Sequence, residues 1–147
     1  MITIQGIPAS PGIAIGQAFA FLDDEDPTIP RYAVTERELD GEWDRFVVAV
    51  RKSKDDIAAM RDRAVKEMGQ EHGAIFETHL LMLDDPDVHD TIEASLRRSL
   101  LNIEWIVHQY GQEIIKQLEG LDNPLMQERS IDVHDITRRI QIGRAHV

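Results

Sequence analysis

The chain is organised around Gly69 to Asp90, GQEHGAIFETHLLMLDDPDVHD. Read as a helix, it carries more apolar surface than one side can hold. Phe76, Leu80 and Leu83 follow i, i+4, i+7 spacing and make one stripe. Ala74, Leu81 and Met82 lie largely off that stripe, with Thr78 and Asp85 beside them. A surface helix of a small domain presents a single apolar stripe. A second stripe is either buried by another helix of the same chain or kept for a partner. The acidic turn that follows, Asp84-Asp85-Pro86-Asp87, suits a basic partner. The bland alternative is a helix buried on two sides.

Outward from this stretch the chain reads as helices with clear punctuation. The stretch itself predicts a second helix over about Glu71 to Leu83. Upstream, Thr35-Glu36-Arg37-Glu38 has the form of a capping box, with Val34 and Leu39 placed as a hydrophobic staple. Leu39, Trp43, Phe46, Val50, Ser53, Ile57, Met60 and Ala64 follow at alternating steps of four and three. That heptad seam predicts a long first helix in near-antiparallel contact with a neighbour, stopping at Gly69. Downstream, Asp85 caps a third helix with Pro86 at its first position, where a missing N–H costs nothing. It runs to about Ser99. Asn102 caps a fourth, whose core stripe is Ile103, Val107, Tyr110, Ile114 and Leu118, and Gly120 ends it. Asn123-Pro124 opens a fifth, with Leu125, Ile131, Ile136 and Ile140 as apolar members. Short connections make neighbouring helices antiparallel. The expectation is a mainly α chain, an antiparallel bundle of four to five helices over residues 33–141.

Residues 1–22 do not fit that pattern. Ile2-Thr3-Ile4 alternates like a strand. Gly6-Ile7-Pro8-Ala9-Ser10-Pro11-Gly12 excludes a helix interior. Ile13, Ile15 and Ala18 to Phe21 then read as a strand interrupted at Gly16. One or two strands make no stable sheet alone. The expectation is a strand arm whose partners lie outside this chain.

The 147 residues are enough for one domain and its core. With no cysteine, neither a disulfide framework nor a thiolate metal site is available. The cytoplasm fits that absence of cysteine, and no secretory h-region and no membrane-spanning apolar run is present. The net charge of −11 argues against nucleic acid and against an anionic membrane, and favours a basic partner or simply a soluble surface.

Chemical motifs are sparse. His72, His79, His89, His108, His134 and His146 lack HExxH spacing, and surface or helix-packing roles are favoured over a metal. There is no GxGxxG, no P-loop and no GxSxG. The Asp84, Asp85 and Asp87 group lacks the glycine and terminal glutamate of a calcium loop, so capping explains it better, with partner docking the competitor. From residue chemistry alone no catalytic centre and no metal site is expected.

Three segments do resemble a known family. Gly6-Ile7-Pro8-Ala9-Ser10-Pro11-Gly12-Ile13-Ala14-Ile15-Gly16 is similar to the opening motif of phosphoenolpyruvate-utilising enzymes. Ala74 to Pro86, AIFETHLLMLDDP, and Glu128 to Ile136, ERSIDVHDI, narrow the resemblance to the N-terminal domain of the Enzyme I family. These are phosphoenolpyruvate–protein phosphotransferases of the bacterial sugar phosphotransferase system. The resemblance implies a helical bundle that docks the phosphocarrier HPr, inserted in an α/β swivelling domain to which the strand arm belongs. It implies that the phosphorylated histidine lies beyond the bundle, and no histidine here has its G-G-x-x-S-H context. The barrel that binds phosphoenolpyruvate and Mg2+ and forms the homodimer is likewise outside this sequence. Carried over by position, Gln70, Glu71, Ala74, Glu77, Leu81, Met82, Asp85, Asp87 and Val88 would line the HPr face, completed by Glu113, Leu118 and Arg129. Gln70 and Pro86 stand where the family commonly has acids, and Glu113 where it has a small residue.

The last six residues, Ile142 to Val147, can be encoded by a string that matches a common sequencing-adapter read-through. The expectation is that 142–147 is a non-native tail and that the native chain continues past about Gln141. The resulting reading is the HPr-docking portion of an Enzyme I-like phosphotransferase, inactive alone. A nitrogen-related or multiphosphoryl paralogue is the nearer rival, and a stand-alone, non-enzymatic helical adaptor the farther one.

Overall fold

Thr35 opens the helical part. The carboxylate of Glu38 reaches back to accept the Thr35 amide at 2.7 Å and its hydroxyl at 2.8 Å, closing the expected capping box. The computed structural model describes residues 2–8, 10–18 and 28–145, with side chains as far as Ile140. After a 3-10 turn at Glu36–Glu38 come five helices: α1 (Leu39–Met68), α2 (Ala74–Leu83), α3 (Pro86–Ser99), α4 (Ile103–Glu119) and α5 (Pro124–Ala145). A second 3-10 turn, Gln70–Gly73, leads into α2.

The expected punctuation is in place. Gly69 adopts φ 100°, which a side chain would strain, and its amide closes α1 onto the Val65 carbonyl at 3.0 Å. Asp85 accepts the Asp87 amide at 2.9 Å with Pro86 in the first turn, and Asn123 accepts the Leu125 amide at 3.0 Å ahead of α5.

Asn102 departs from expectation. It stands at the N-cap of α4, but its side chain makes no capping bond there. It is fully buried, accepts the Tyr32 amide at 2.9 Å and donates to the Pro30 carbonyl at 2.9 Å and to Glu104 at 2.8 Å. The segment before α1 is thereby fastened to the α3–α4 corner. Val34 N–H donates to the Leu100 carbonyl and Asn102 N–H to the Tyr32 carbonyl, with one antiparallel bridge between Ala33 and Leu101. Leu100 turns the corner at φ 52°, a left-handed conformation that a bulky residue keeps only when its surroundings hold it.

The bundle forms around α1, about 45 Å long at 1.5 Å per residue. Its seam is buried at Leu39, Phe46, Val50, Ser53, Ile57 and Ala64, with Trp43 and Met60 half-buried. Ile92 and Leu96 of α3, Ile103 and Ile106 of α4, and Ile136 and Ile140 of α5 complete the core. α4 and α5 pack most extensively on each other, and α1 lies against both α2 and α5. At Gly111 a Cβ would fall 2.6 Å from Thr137 Oγ1, so α4 and α5 cross closely there.

The strand arm has no counterpart among the described residues. Residues 2–8 and 10–18 form no strand, and Ile2, Ile4, Ile7, Ile13 and Ile15 are almost fully exposed. The physical reason is the one that made the arm incomplete in the sequence: a strand exists by pairing, and nothing here pairs with it. The Phe19 to Phe21 part of the expected strand lies outside the described residues, as do His146 and Val147. No helix among the described residues is long and apolar enough to cross a membrane.

Candidate partner-docking face

The apolar excess of α2 divides as its spacing requires, with one change. Leu83 is 3% exposed and Phe76 and Leu80 pack against the core, whereas Leu81 is 73% exposed. Ala74 is exposed as well. Met82 differs from the expectation that it lies off the core stripe: it is half-buried against the core. Ile75, 55% exposed, joins the outward side without having been singled out.

The other candidate residues group around these. Gln70, Ala74 and Glu77 line a hollow of about 560 Å3 against Arg61, Asp62, Val65 and Lys66 of α1. Glu77 is held there by Arg61 at 2.8 Å, and Arg61 also reaches Asp62 at 3.1 Å. Bonds to Asp62 and then Glu77 raise the Arg61 pKa above its ordinary value. Glu71 is exposed on the 3-10 turn. Beyond Leu83, Lys54 of α1 pairs with Asp84. Asp85 and Asp87 are exposed at the start of α3. Met82, Asp85 and Val88 line the mouth of an apolar cleft of about 200 Å3 that reaches Val107 and Ile114 of α4 and Ile136 of α5.

Glu113 comes to the group through Tyr110. Burial first, then the charges of Asp85, Asp87 and Glu113, raise the Tyr110 pKa above its ordinary 10.0. Arg129 is tied to α2 indirectly: it lies 3.9 Å from Asp132, whose other oxygen meets His79 Nε2 at 3.1 Å. Leu118 is half-buried near the end of α4, and no described contact joins it to the rest.

The face is therefore an apolar strip at Ala74, Ile75 and Leu81, continued by the half-buried Met82 and Val88. Carboxylates flank it, and α1 cations neutralise two of them, Glu77 and Asp84. Such a strip can receive an apolar-centred surface whose edge is basic. Tyr110 packs against the core, as its place in the α4 stripe requires, and lines the cleft beside Met82 and Val88. Sequence reasoning missed the His79–Asp132 link, which joins helices far apart in sequence. The remaining described histidines serve packing or lie at the surface: His89 Nε2 meets the Leu83 carbonyl at 2.7 Å with its ring against Trp43 and Phe46. His108 lies beside Trp105, and His72 is exposed. Among the described residues no three His, Asp or Glu side chains converge as a metal site would require.

The model of the family described as PEP-utilising enzyme, N-terminal, matches residues 5–129. The chain is 37% identical over 137 residues to a phosphoenolpyruvate-protein phosphotransferase of Priestia megaterium, covering 93% of this chain and 23% of that one. It is 32% identical over 140 residues to that of Bacillus subtilis (strain 168), covering 95% and 24%. The chain thus spans about a quarter of the length of these curated relatives. Among solved structures it is similar to the NMR solution structure of Enzyme I (nEIt), with a TM-score of 0.77 and 25% identity, covering 83% of this chain and 49% of that one.

Proposed function

The chain belongs to the family of PEP-utilising enzyme N-terminal domains, and from that membership we propose that it is the portion of a phosphoenolpyruvate–protein phosphotransferase that docks the phosphocarrier HPr. The observation that carries this reading is Leu81, 73% exposed on a helix whose Phe76, Leu80 and Leu83 pack inward, and followed shortly by the acids Asp84, Asp85 and Asp87. An exposed leucine alone means little. One continuous with Ala74, Ile75, Met82 and Val88, and edged by carboxylates, has the form of an interface core with a charged rim.

In the whole protein a histidine accepts the phosphoryl group of phosphoenolpyruvate and passes it to HPr. This chain's contribution is to hold the carrier so that donor and acceptor meet in line, since phosphoryl transfer is mainly positioning and charge stabilisation. Mg2+ and phosphoenolpyruvate belong to parts of the enzyme outside this sequence, and no set of described side chains here fits the metal. The exposed isoleucines of residues 2–15 are the arm of an α/β domain awaiting its partner strands, and the protein works in the cytoplasm.

The test is an NMR titration of the 15N-labelled chain with HPr at two salt concentrations. Shifts centred on Leu81, Met82, Asp85 and Val88 that require more HPr at higher salt are expected, because rim carboxylates steer a basic partner. Unchanged spectra at those residues would overturn the reading.

A further inference from the structure

The apolar cleft behind Met82 is larger than helix packing ordinarily leaves. Protein interiors hold few voids bigger than a water molecule, whereas this cleft measures about 200 Å3. All five helices wall it. Phe46 and Val50 of α1, Ile92 of α3, Val107 of α4, and Ile136 and Ile140 of α5 form its inner part, and all six are buried. Met82 and Val88, both half-buried, stand at the mouth with Asp85, which is exposed. A thioether on an unbranched, freely rotating stem gives way easily, so Met82 is a wall that can admit a molecule.

The chemistry of the lining selects the occupant. Its polar members are Asp85, His89, Tyr110 and Thr137. The Thr137 hydroxyl donates to the Val133 carbonyl at 2.8 Å, and His89 Nε2 donates to the Leu83 carbonyl at 2.7 Å. One Asp85 oxygen accepts the Asp87 amide at 2.9 Å. The Tyr110 hydroxyl and His89 Nδ1 have no bond among the described residues, and each can meet one small polar substituent as donor or as acceptor. Among the described residues no lysine or arginine lines the cleft, and its one carboxylate, Asp85, is at the mouth in water. Arg98 and Glu113 line the separate groove beyond Tyr110. A charged group carried inward would be buried without a partner. The volume is too small for a helix. It exceeds the roughly 150 Å3 of an engineered apolar cavity that stays dry and takes benzene.

We propose that the cleft is a binding site for a compact, uncharged, apolar molecule of about six to ten carbon atoms, entering past Met82 and Val88. The driving force is burial of apolar surface against walls that hold water poorly. A pre-formed apolar hollow with a few polar groups is the ordinary form of a small-molecule site. The inference needs no protein partner and stands apart from the docking reading.

NMR titration of the whole chain, labelled with 15N and with 13C in its methyl groups, tests it with indole as the probe. Saturable shifts at the Ile92, Val107 and Ile136 methyls are expected, with a melting temperature that rises with indole concentration. Indole-3-carboxylate, the same ring carrying a charge, is expected to bind roughly tenfold more weakly or worse. Ile114→Phe places an aromatic ring in the cleft from a half-buried wall and is expected to lose the indole shifts. Val133→Leu, a smaller addition to the same lining, takes its place if that variant does not fold. Absence of saturable shifts on the inner walls, or shifts confined to the exposed Ile75 and Leu81, would overturn the proposal. So would undiminished indole binding by a folded, filled variant, or indole-3-carboxylate binding as well as indole. Inner-wall shifts caused by HPr and not by indole would assign the cleft to a side chain of the partner and overturn it too. Indole binding without HPr binding would support it while the docking reading fell.

Discussion

The Glu42 carboxylate of α1 accepts the Ile103 amide of α4 at 2.7 Å, capping a helix that begins 61 residues later. Glu42 is 7% exposed, and its other oxygen holds Arg45 at 2.5 Å. Burial alone would depress the Arg45 pKa, but bonds to Tyr32 and Glu42 and the charge of Glu104 raise it instead. A buried carboxylate is tolerated here because a helix N-terminus and a guanidinium share it. Glu42→Ala leaves the Ile103 amide unsatisfied in the core and is expected to cost about 1–3 kcal/mol in chemical denaturation. Glu42→Gln keeps an accepting oxygen and should lose less.

Gly111 and Thr137 test the crossing of α4 and α5. An alanine Cβ at 111 would fall 2.6 Å from Thr137 Oγ1 and 2.8 Å from its Cγ2. Overpacking of this kind costs about 1–3 kcal/mol. Gly111→Ala should lower the unfolding free energy by that amount in chemical denaturation. Thr137→Ala removes both close atoms, so the double variant should recover part of the loss. Strictly additive losses would show that the two side chains do not meet.

Thr35 and Glu38 make the acid limb of stability informative. The Thr35 amide, then its hydroxyl, hold the Glu38 carboxyl below its ordinary 4.5. A group with a depressed folded pKa adds stability above its unfolded value, and loses it as pH falls through the folded one. The capping box should therefore act fully above 4.5 and fade below it. Melting temperatures of wild type and Glu38→Ala, compared from about pH 7 down to about pH 3, should converge toward the acid end. A gap that does not change with pH would mean that the cap acts without the charge.

The contrast between Thr35 and Asn102 shows what the sequence could disclose. Thr35–Glu38, Gly69, Asp85-Pro86 and Asn123-Pro124 are local devices: donor and acceptor lie within four residues, so residue order alone specifies the bond. The heptad seam of α1 is legible for the same reason, since one helix carries its own period. Asn102 carries the same local signal at the head of α4. Yet the α4 amide at Ile103 is capped from α1 by Glu42, and the asparagine side chain binds Pro30 and Tyr32 instead of its own helix. Nothing in residue spacing announces a partner 61 or 72 positions away. Met82 was misplaced for a related reason: it sits at the edge between the packed and the open side of a ten-residue helix and is half-buried. The docking candidates themselves came from resemblance, and only the division of α2 into inner and outer residues was readable from spacing.

Leu81 and Leu83 allow stability and docking to be separated on one helix. Leu83 is 3% exposed and Leu81 is 73% exposed, two positions apart. Truncating the buried leucine removes transfer energy and opens a cavity, so Leu83→Ala should cost about 2–5 kcal/mol. Truncating the exposed one removes little that folding had gained, and Leu81→Ala should stay within about 0.5 kcal/mol of wild type. The order reverses for HPr if Leu81 is an anchor at the centre of the face, where loss of one such side chain costs 1 kcal/mol or more, roughly fivefold in affinity or greater. Affinity is to be compared at a temperature where Leu83→Ala is still folded, so that its residual effect reports the interface alone. Leu81→Ala binding HPr as wild type does would remove the outward stripe of α2 from the interface. The surplus of apolar surface in that stretch would then need another cause.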